Sequence, residues 1–163
     1  MPLFAVIPAA VCAQEADYPR LTGIIAVAQA VCDAATDGLG ELVYGDAVIV
    51  PIDLDGDGGN TPDALPDDVV IDLNHIHCSL AVSLWTGTGG APVHFVIDGT
   101  TSASWPGLFR EAERMGPDLP AVILLARHGT ACDGFGARPC VQAIVATDGL
   151  FSTVILPAPI EAE

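Results

Sequence analysis

The residues with the clearest chemical content are Asp53-Leu54-Asp55-Gly56-Asp57-Gly58. Three aspartates at alternate positions, followed by glycine, match the first half of a calcium loop. Carboxylate oxygens so spaced converge on one cation only where the backbone turns sharply, and glycine permits the turn. The second half follows neither common form. In an EF-hand frame the twelfth place is Ala64, where a bidentate glutamate is needed, and no helix precedes the loop. A shorter β-type loop ends in aspartate at its ninth place. Here Thr61 holds that place and Asp63 follows two residues late, as though Gly59-Asn60 were inserted. The expectation is a Ca²⁺ site of Asp53, Asp55, Asp57 and Asp63. The competing reading is a solvated acidic turn between strands.

A second constellation is Asn74-His75-Ile76-His77-Cys78. On a strand, His75 and His77 point to one side, a spacing used by metal ligands. His94, on another expected strand, is the candidate third ligand for zinc or copper, and His128 is a more remote one. Other chemistry finds no support. Thr86-Gly87-Thr88-Gly89-Gly90 lacks the Lys-Ser/Thr ending of a P-loop and opens no helix, so it reads as a turn. No nucleophile elbow surrounds Ser79, Ser83, Ser102 or Ser104. No CxxC pair exists, which removes a thioredoxin-like role and a zinc knuckle. No catalytic residue is assigned.

The elements that must hold these residues follow from periodicity. Leu21, Ile24, Ile25, Ala28, Val31 and Cys32 share one helical face, predicting a helix over 17–36. Asp17 is its expected N-cap, and Thr36-Asp37-Gly38 its stop. Then the period changes. Short β-type runs recur at Ala47–Ile52, Val69–Leu73, Ser79–Trp85, Val93–Ile97, Ala121–Ala126, Val141–Thr147 and Leu150–Leu156, separated by glycine-rich turns. Thr147-Asp148-Gly149-Leu150 is a strong hairpin signal. Residues 106–115 are expected to carry a short helical turn. The fold class expected is α+β: a mainly antiparallel sheet of six or seven short strands, with one N-terminal helix packed on it and disulfides bracing it.

Composition sets the compartment and the partners. The chain has 163 residues, 51% of them hydrophobic, enough for one domain with a real core. It carries 21 acidic residues against five arginines and no lysine, a formal charge of −16. Such a surface repels phosphate backbones and anionic lipid, so nucleic-acid and peripheral membrane binding are excluded as expectations. Divalent cations and basic partners remain.

Residues 1–13 are apolar with no acidic residue, and polarity begins at Gln14-Glu15. Val11-Cys12-Ala13 suits a signal peptidase, which predicts cleavage before Gln14 and a periplasmic or secreted protein. The one departure is the absent basic start. Pro2, Pro8 and Gln14 leave too few apolar residues for a membrane span. One β-rich domain over 14–156 and a flexible tail over 157–163 complete the organisation.

Removing Cys12 leaves Cys32, Cys78, Cys132 and Cys140, which allow three pairings. Cys132 and Cys140 flank Asp-Gly-Phe-Gly-Ala-Arg-Pro, so a local bridge is expected there. Cys32 with Cys78 then follows by elimination.

The order DLDGDG, TPDALPDDVV, CSLAVSLWTGTGGAPVHFVIDG and AVILLARHGTACDGFGARPCVQAIVATDGLF resembles a group of uncharacterised exported bacterial proteins. These carry a single segment similar to the calcium loop of FG-GAP-type repeats. The resemblance spans roughly residues 30–155. Where the group tends to have CGTGGC, this chain has Thr86 to Ala91 with both cysteines absent together. The resemblance implies export, the two remaining bridges and a β-rich fold, and brings no activity.

The functional expectation is a non-catalytic periplasmic or secreted domain that binds another macromolecule, an unknown protein or cell-envelope partner, with Ca²⁺ as its candidate cofactor. One alternative is a metal protein or enzyme using His75, His77 and His94. Another is a structural surface or cement component of a larger assembly. Intact-mass spectrometry of the mature protein should give a chain beginning at Gln14 and lighter by four hydrogens. A mass retaining residues 1–13 would remove the export reading.

Overall fold

The computed structural model describes residues 19–58, 67–116, 118–134, 138 and 140–156. The expected signal segment, Asp17, Asp63 and the tail lie outside these residues.

One helix, α1 (Pro19–Thr36), precedes the strands. Its C-terminal end matches the expectation, but its buried face is narrower. Leu21, Ile25, Ala28 and Cys32 are buried, whereas Val31 is 43% exposed. The helix is rich in β-branched residues, which propensity alone disfavours. Contacts made by its side chains offset that. Gln29 donates to Asp33 Oδ1 at 2.7 Å and accepts from the Leu42 N–H at 3.1 Å, joining the helix to the first strand.

Ten strands follow among the described residues, in three antiparallel sheets. This exceeds the expected six or seven in one sheet. A small sheet pairs β1 (Leu42–Tyr44) with β4 (Ile76–Cys78). A central sheet has the order β2-β3-β5-β6, from β2 (Ile49–Pro51), β3 (Val69–Asp72), β5 (Pro92–Ile97) and β6 (Thr101–Pro106). A third has the order β10-β9-β8-β7, from β7 (Leu108–Arg114), β8 (Ala121–Arg127), β9 (Cys140–Thr147) and β10 (Leu150–Leu156).

The layers are helix, central sheet, third sheet. Successive side chains of a strand face opposite ways. In β3, Val69 and Ile71 therefore join Leu21, Ile25 and Cys32 in one core, while Val70 joins the other. That is why β3 reads as an unbroken apolar run rather than an alternation. Between the sheets, Val93, Phe95 and Ile97 meet Ile123, Leu125, Ile144 and Ala146. Phe95, Trp105 and Phe151 form a triangle across this core, with ring centroids 5.8, 6.5 and 6.0 Å apart. The Trp105–Phe151 pair is edge-on and the other two are tilted; such aromatic pairs add about 0.5–1.5 kcal/mol each beyond their burial.

Two expectations are corrected. Residues 108–114, expected to include a helical turn, form strand β7. Their Glu, Arg and Ala favour helix in isolation, but Phe109 and Ala112 pack against the inter-sheet core, and pairing with β8 overrides propensity. Ser79–Trp85, expected as a strand, is a series of turns closed by the Ala81 N–H to Cys78 and the Leu84 N–H to Ala81. Leu80 and Val82 stand exposed there while Trp85 enters the helix-side core. The Asp148-Gly149 hairpin forms as expected, with φ of 51° and 70° in a two-residue turn.

Both expected disulfides are present, Cys32–Cys78 with Cα atoms 5.5 Å apart and Cys132–Cys140 at 6.4 Å. The first ties α1 to β4 across 46 residues of chain. Replacing Cys32 and Cys78 together by Ala should lower unfolding free energy by about 4 kcal/mol, measured by urea denaturation. A loss under about 1 kcal/mol would show that the helix does not depend on the bridge.

Candidate metal centre

The acidic loop lies at one end of the sandwich, where the exit of β2, the β5–β6 turn and the start of β8 meet. Its organiser is Asp68, 2% exposed. One of its carboxylate oxygens accepts from the Leu54 N–H at 2.7 Å and the Asp55 N–H at 3.3 Å. The other accepts from the Asp98 N–H at 2.8 Å. The main chain repeats the join. Ile52 N–H donates to Asp68 at 3.3 Å and Gly99 N–H to Asp67 at 2.9 Å. The Leu54 carbonyl, in turn, accepts from Ala121 of the third sheet.

Glycine is required at position 56. Its φ is +83°, and a Cβ there would fall 2.6 Å from the Leu119 main chain. The loop therefore threads close to the segment before β8.

This arrangement gathers five carboxylates. Oxygens of Asp53, Asp55 and Asp57 lie within 4.8 Å of one another, and so do oxygens of Asp57, Asp67 and Asp98. Opposed ligands about 2.4 Å from one Ca²⁺ have that separation, so the oxygen-only donor set fits the ion. Asp57 belongs to both groups. Asp53 is the least available of the three loop aspartates. Its Oδ1 accepts from the Gly56 N–H at 2.7 Å, and its Oδ2 pairs with Arg114 Nη1 at 2.6 Å. Asp67 and Asp98 enter from other segments. Sequence spacing did not show them, although Asp98-Gly99 carries the turn signal that places Asp98 at a loop tip.

The electrostatics follow from this crowding. Partial burial, then the charges of Asp57, Asp98 and Asp53, raise the Asp55 carboxyl above its ordinary value, against a hydrogen bond from the Asp57 N–H. Burial raises Asp68 to about 6, against the three N–H donors that favour its charge.

The histidines do not assemble. His75 sits in a 3₁₀ turn (Leu73–His75), with Nε2 3.7 Å from Asp72 Oδ2. His77 is exposed on β4. His94 is on β5 in the central sheet, where burial lowers its pKa. Among the described residues, the groups with ligand atoms close enough for one ion consist of aspartate, and none includes His75, His77 or His94. His94 instead faces a groove of about 580 Å³ between α1 and β6, beside Ser102, Ser104, Trp85 and the exposed Val27. No helix of the described residues is long and apolar enough to cross a membrane.

Comparison with protein families, curated proteins and solved structures finds no match to this chain.

The raised Asp68 has a pH signature. Its folded value of about 6 lies above the 3.8 of an ordinary aspartate, so the folded protein takes up the proton first. Stability should rise as pH falls from about 6 toward 4, and be lost again as pH rises through 6. In calcium-free buffer, Asp68→Asn should flatten this dependence by on the order of 2 kcal/mol across the window. Parallel denaturation curves for the two proteins would contradict it.

Proposed function

We propose that this chain is a non-catalytic, exported binding domain, periplasmic or secreted, whose acidic loop takes Ca²⁺ and whose partner is another macromolecule. The observation that carries the reading is the convergence of Asp55, Asp57, Asp67 and Asp98 from three segments around one buried carboxylate. The carboxylates within each of the two aspartate groups, which share Asp57, repel one another, and a divalent cation relieves the repulsion. Export is supported by the two disulfides, which persist in oxidising compartments.

The macromolecular partner is supported by the outer face of the third sheet. Val122 and Leu124 on β8 pair with Val145 and Ala143 on β9, and Val154 on β10 extends the row. These side chains point away from the inter-sheet core and Val154 is 60% exposed. Contiguous apolar surface of this kind marks interaction sites more often than scattered single residues do. Glu111 and Glu113 on β7 border it, which favours a partner with apolar and basic groups.

Ca²⁺ at a hundred times its dissociation constant should add about 2.7 kcal/mol, which is several degrees in melting temperature for a chain of this size. Scanning calorimetry with CaCl₂ and with EDTA tests this. Asp57→Asn, which removes the residue shared by both aspartate groups, should abolish the difference while the EDTA form keeps its own transition. Identical melting with and without Ca²⁺ would sink the ion-binding part.

A further inference from the structure

At the opposite end of β7 and β8, cations gather. The chain has five arginines and four histidines against 21 acidic residues. Three of these basic groups, Arg110, Arg127 and His128, line one small pocket of about 120 Å³, closed by Thr88 and Gly89. Among the described residues no carboxylate lines it.

The pocket is built by specific devices. Pairing of β7 with β8 runs Phe109 to Leu125 and then Glu111 to Leu124, so Arg110 is the extra residue of a β-bulge. A bulge re-aims a side chain that the pleat would otherwise direct elsewhere. Among the described residues Arg110 makes no ion pair, although two glutamates follow it closely in the chain. Arg127 Nη1 donates to Oε1 of Gln142, which is 1% exposed. That bond fixes the guanidinium and uses one of its five N–H donors. Partial burial disfavours the Arg127 charge, a cost that an anion offsets. His128 is held through Nδ1 by Thr130 Oγ1 at 2.9 Å, which leaves Nε2 for a ligand.

The glycine-rich turn is pinned beside them. Gly90 has φ of +73°, and a Cβ there would fall 2.4 Å from the Gly107 carbonyl oxygen. Asn74 clamps the contact. Its amide donates to Gly107 O at 2.7 Å, and its oxygen accepts from the Ala91 N–H at 2.8 Å. Asp72, itself buried, holds the same amide at 2.6 Å. Among the described residues the N–H groups of Thr88 and Gly89 donate no hydrogen bond. Thr88, Gly89, Arg110, Arg127 and His128 thus line one small space, with Leu108 and Ala126 as its apolar wall.

We propose that this pocket binds a tetrahedral oxyanion of the phosphate class, with Arg110 and Arg127 as its charge partners and the Thr88–Gly89 turn supplying main-chain donors. Its volume is well below the roughly 300–1,000 Å³ of sites for drug-sized ligands, so it takes an ion or one headgroup rather than a nucleotide. The charge of −16 on the whole chain disfavours a polyanion. The site stands apart from the aspartates and does not depend on Ca²⁺.

Titration calorimetry in calcium-free buffer with inorganic phosphate, phenyl phosphate and acetate, at constant ionic strength, tests it. Saturable binding of phosphate or phenyl phosphate at one site, and weaker binding of acetate, is expected. Arg110→Ala should weaken binding by roughly tenfold or more, because a bidentate charged contact is lost. Its melting temperature without anion should be unchanged, since Arg110 has no ion-pair partner to lose. Phenyl phosphate binding as tightly as phosphate identifies the headgroup of a larger ligand, and phosphate alone identifies the free ion; both support the pocket. No saturable binding to the wild-type protein, or equal affinity in Arg110→Ala, would overturn the proposal.

Discussion

The structure depends on one buried carboxylate. Asp68 is dehydrated, which disfavours its charge, yet it accepts three main-chain N–H groups that favour it. Those donors come from both sides, two from the exit of β2 and one from the β5–β6 turn. A neutral side chain of the same shape has one acceptor oxygen and cannot serve both. The acidic loop is therefore shaped by a residue that is not itself among the candidate ligands. Burying a charge beneath other carboxylates is costly, and the surrounding packing of two sheets carries that cost.

Much of the fold was legible from local signals. The helix, the Asp148-Gly149 turn, strand β10 and the Cys132–Cys140 bridge rest on short-range chemistry: period, positive φ and cysteine spacing; Cys32–Cys78 followed from it by elimination. What stayed hidden was set by distant residues. Strand β7 exists because β8 pairs with it. The unbroken apolar run of β3 signals two covered faces, but not that a second sheet covers one of them. Of the candidate ligands, Asp55 and Asp57 share a loop and could be read together. Asp67 and Asp98 meet them only through the pairing of β3 with β5. His75, His77 and His94 show the converse, since His75 lies in a 3₁₀ turn and the strands of His77 and His94 belong to different sheets.

Charge is divided along the strands rather than across the faces. Strand β8 begins at Ala121, bonded to the acidic loop, and ends at Arg127 in the basic pocket. Strand β7 runs the other way, from the basic pocket to Arg114 beside Asp53. Seven extended residues separate the ends by about 20 Å, more than twice the Debye length at physiological salt. The two sites are thus screened from each other, and each keeps its own sign of charge within an acidic molecule.

The order β10-β9-β8-β7 also has a kinetic side. Every pairing in that sheet joins neighbours in sequence; β7–β8 and β9–β10 are closed by short turns, and the longer segment between β8 and β9 is itself closed by the Cys132–Cys140 bridge. Loop closure of this kind costs little entropy, and proteins dominated by near-neighbour contacts fold quickly. The central sheet differs, because β3 must find β5 across the segment that holds β4 and the glycine turn. The third sheet is thus the part of the chain able to form first. Its Ile123, Leu125, Ile144 and Ala146 form the wall against which Phe95 and Trp105 pack.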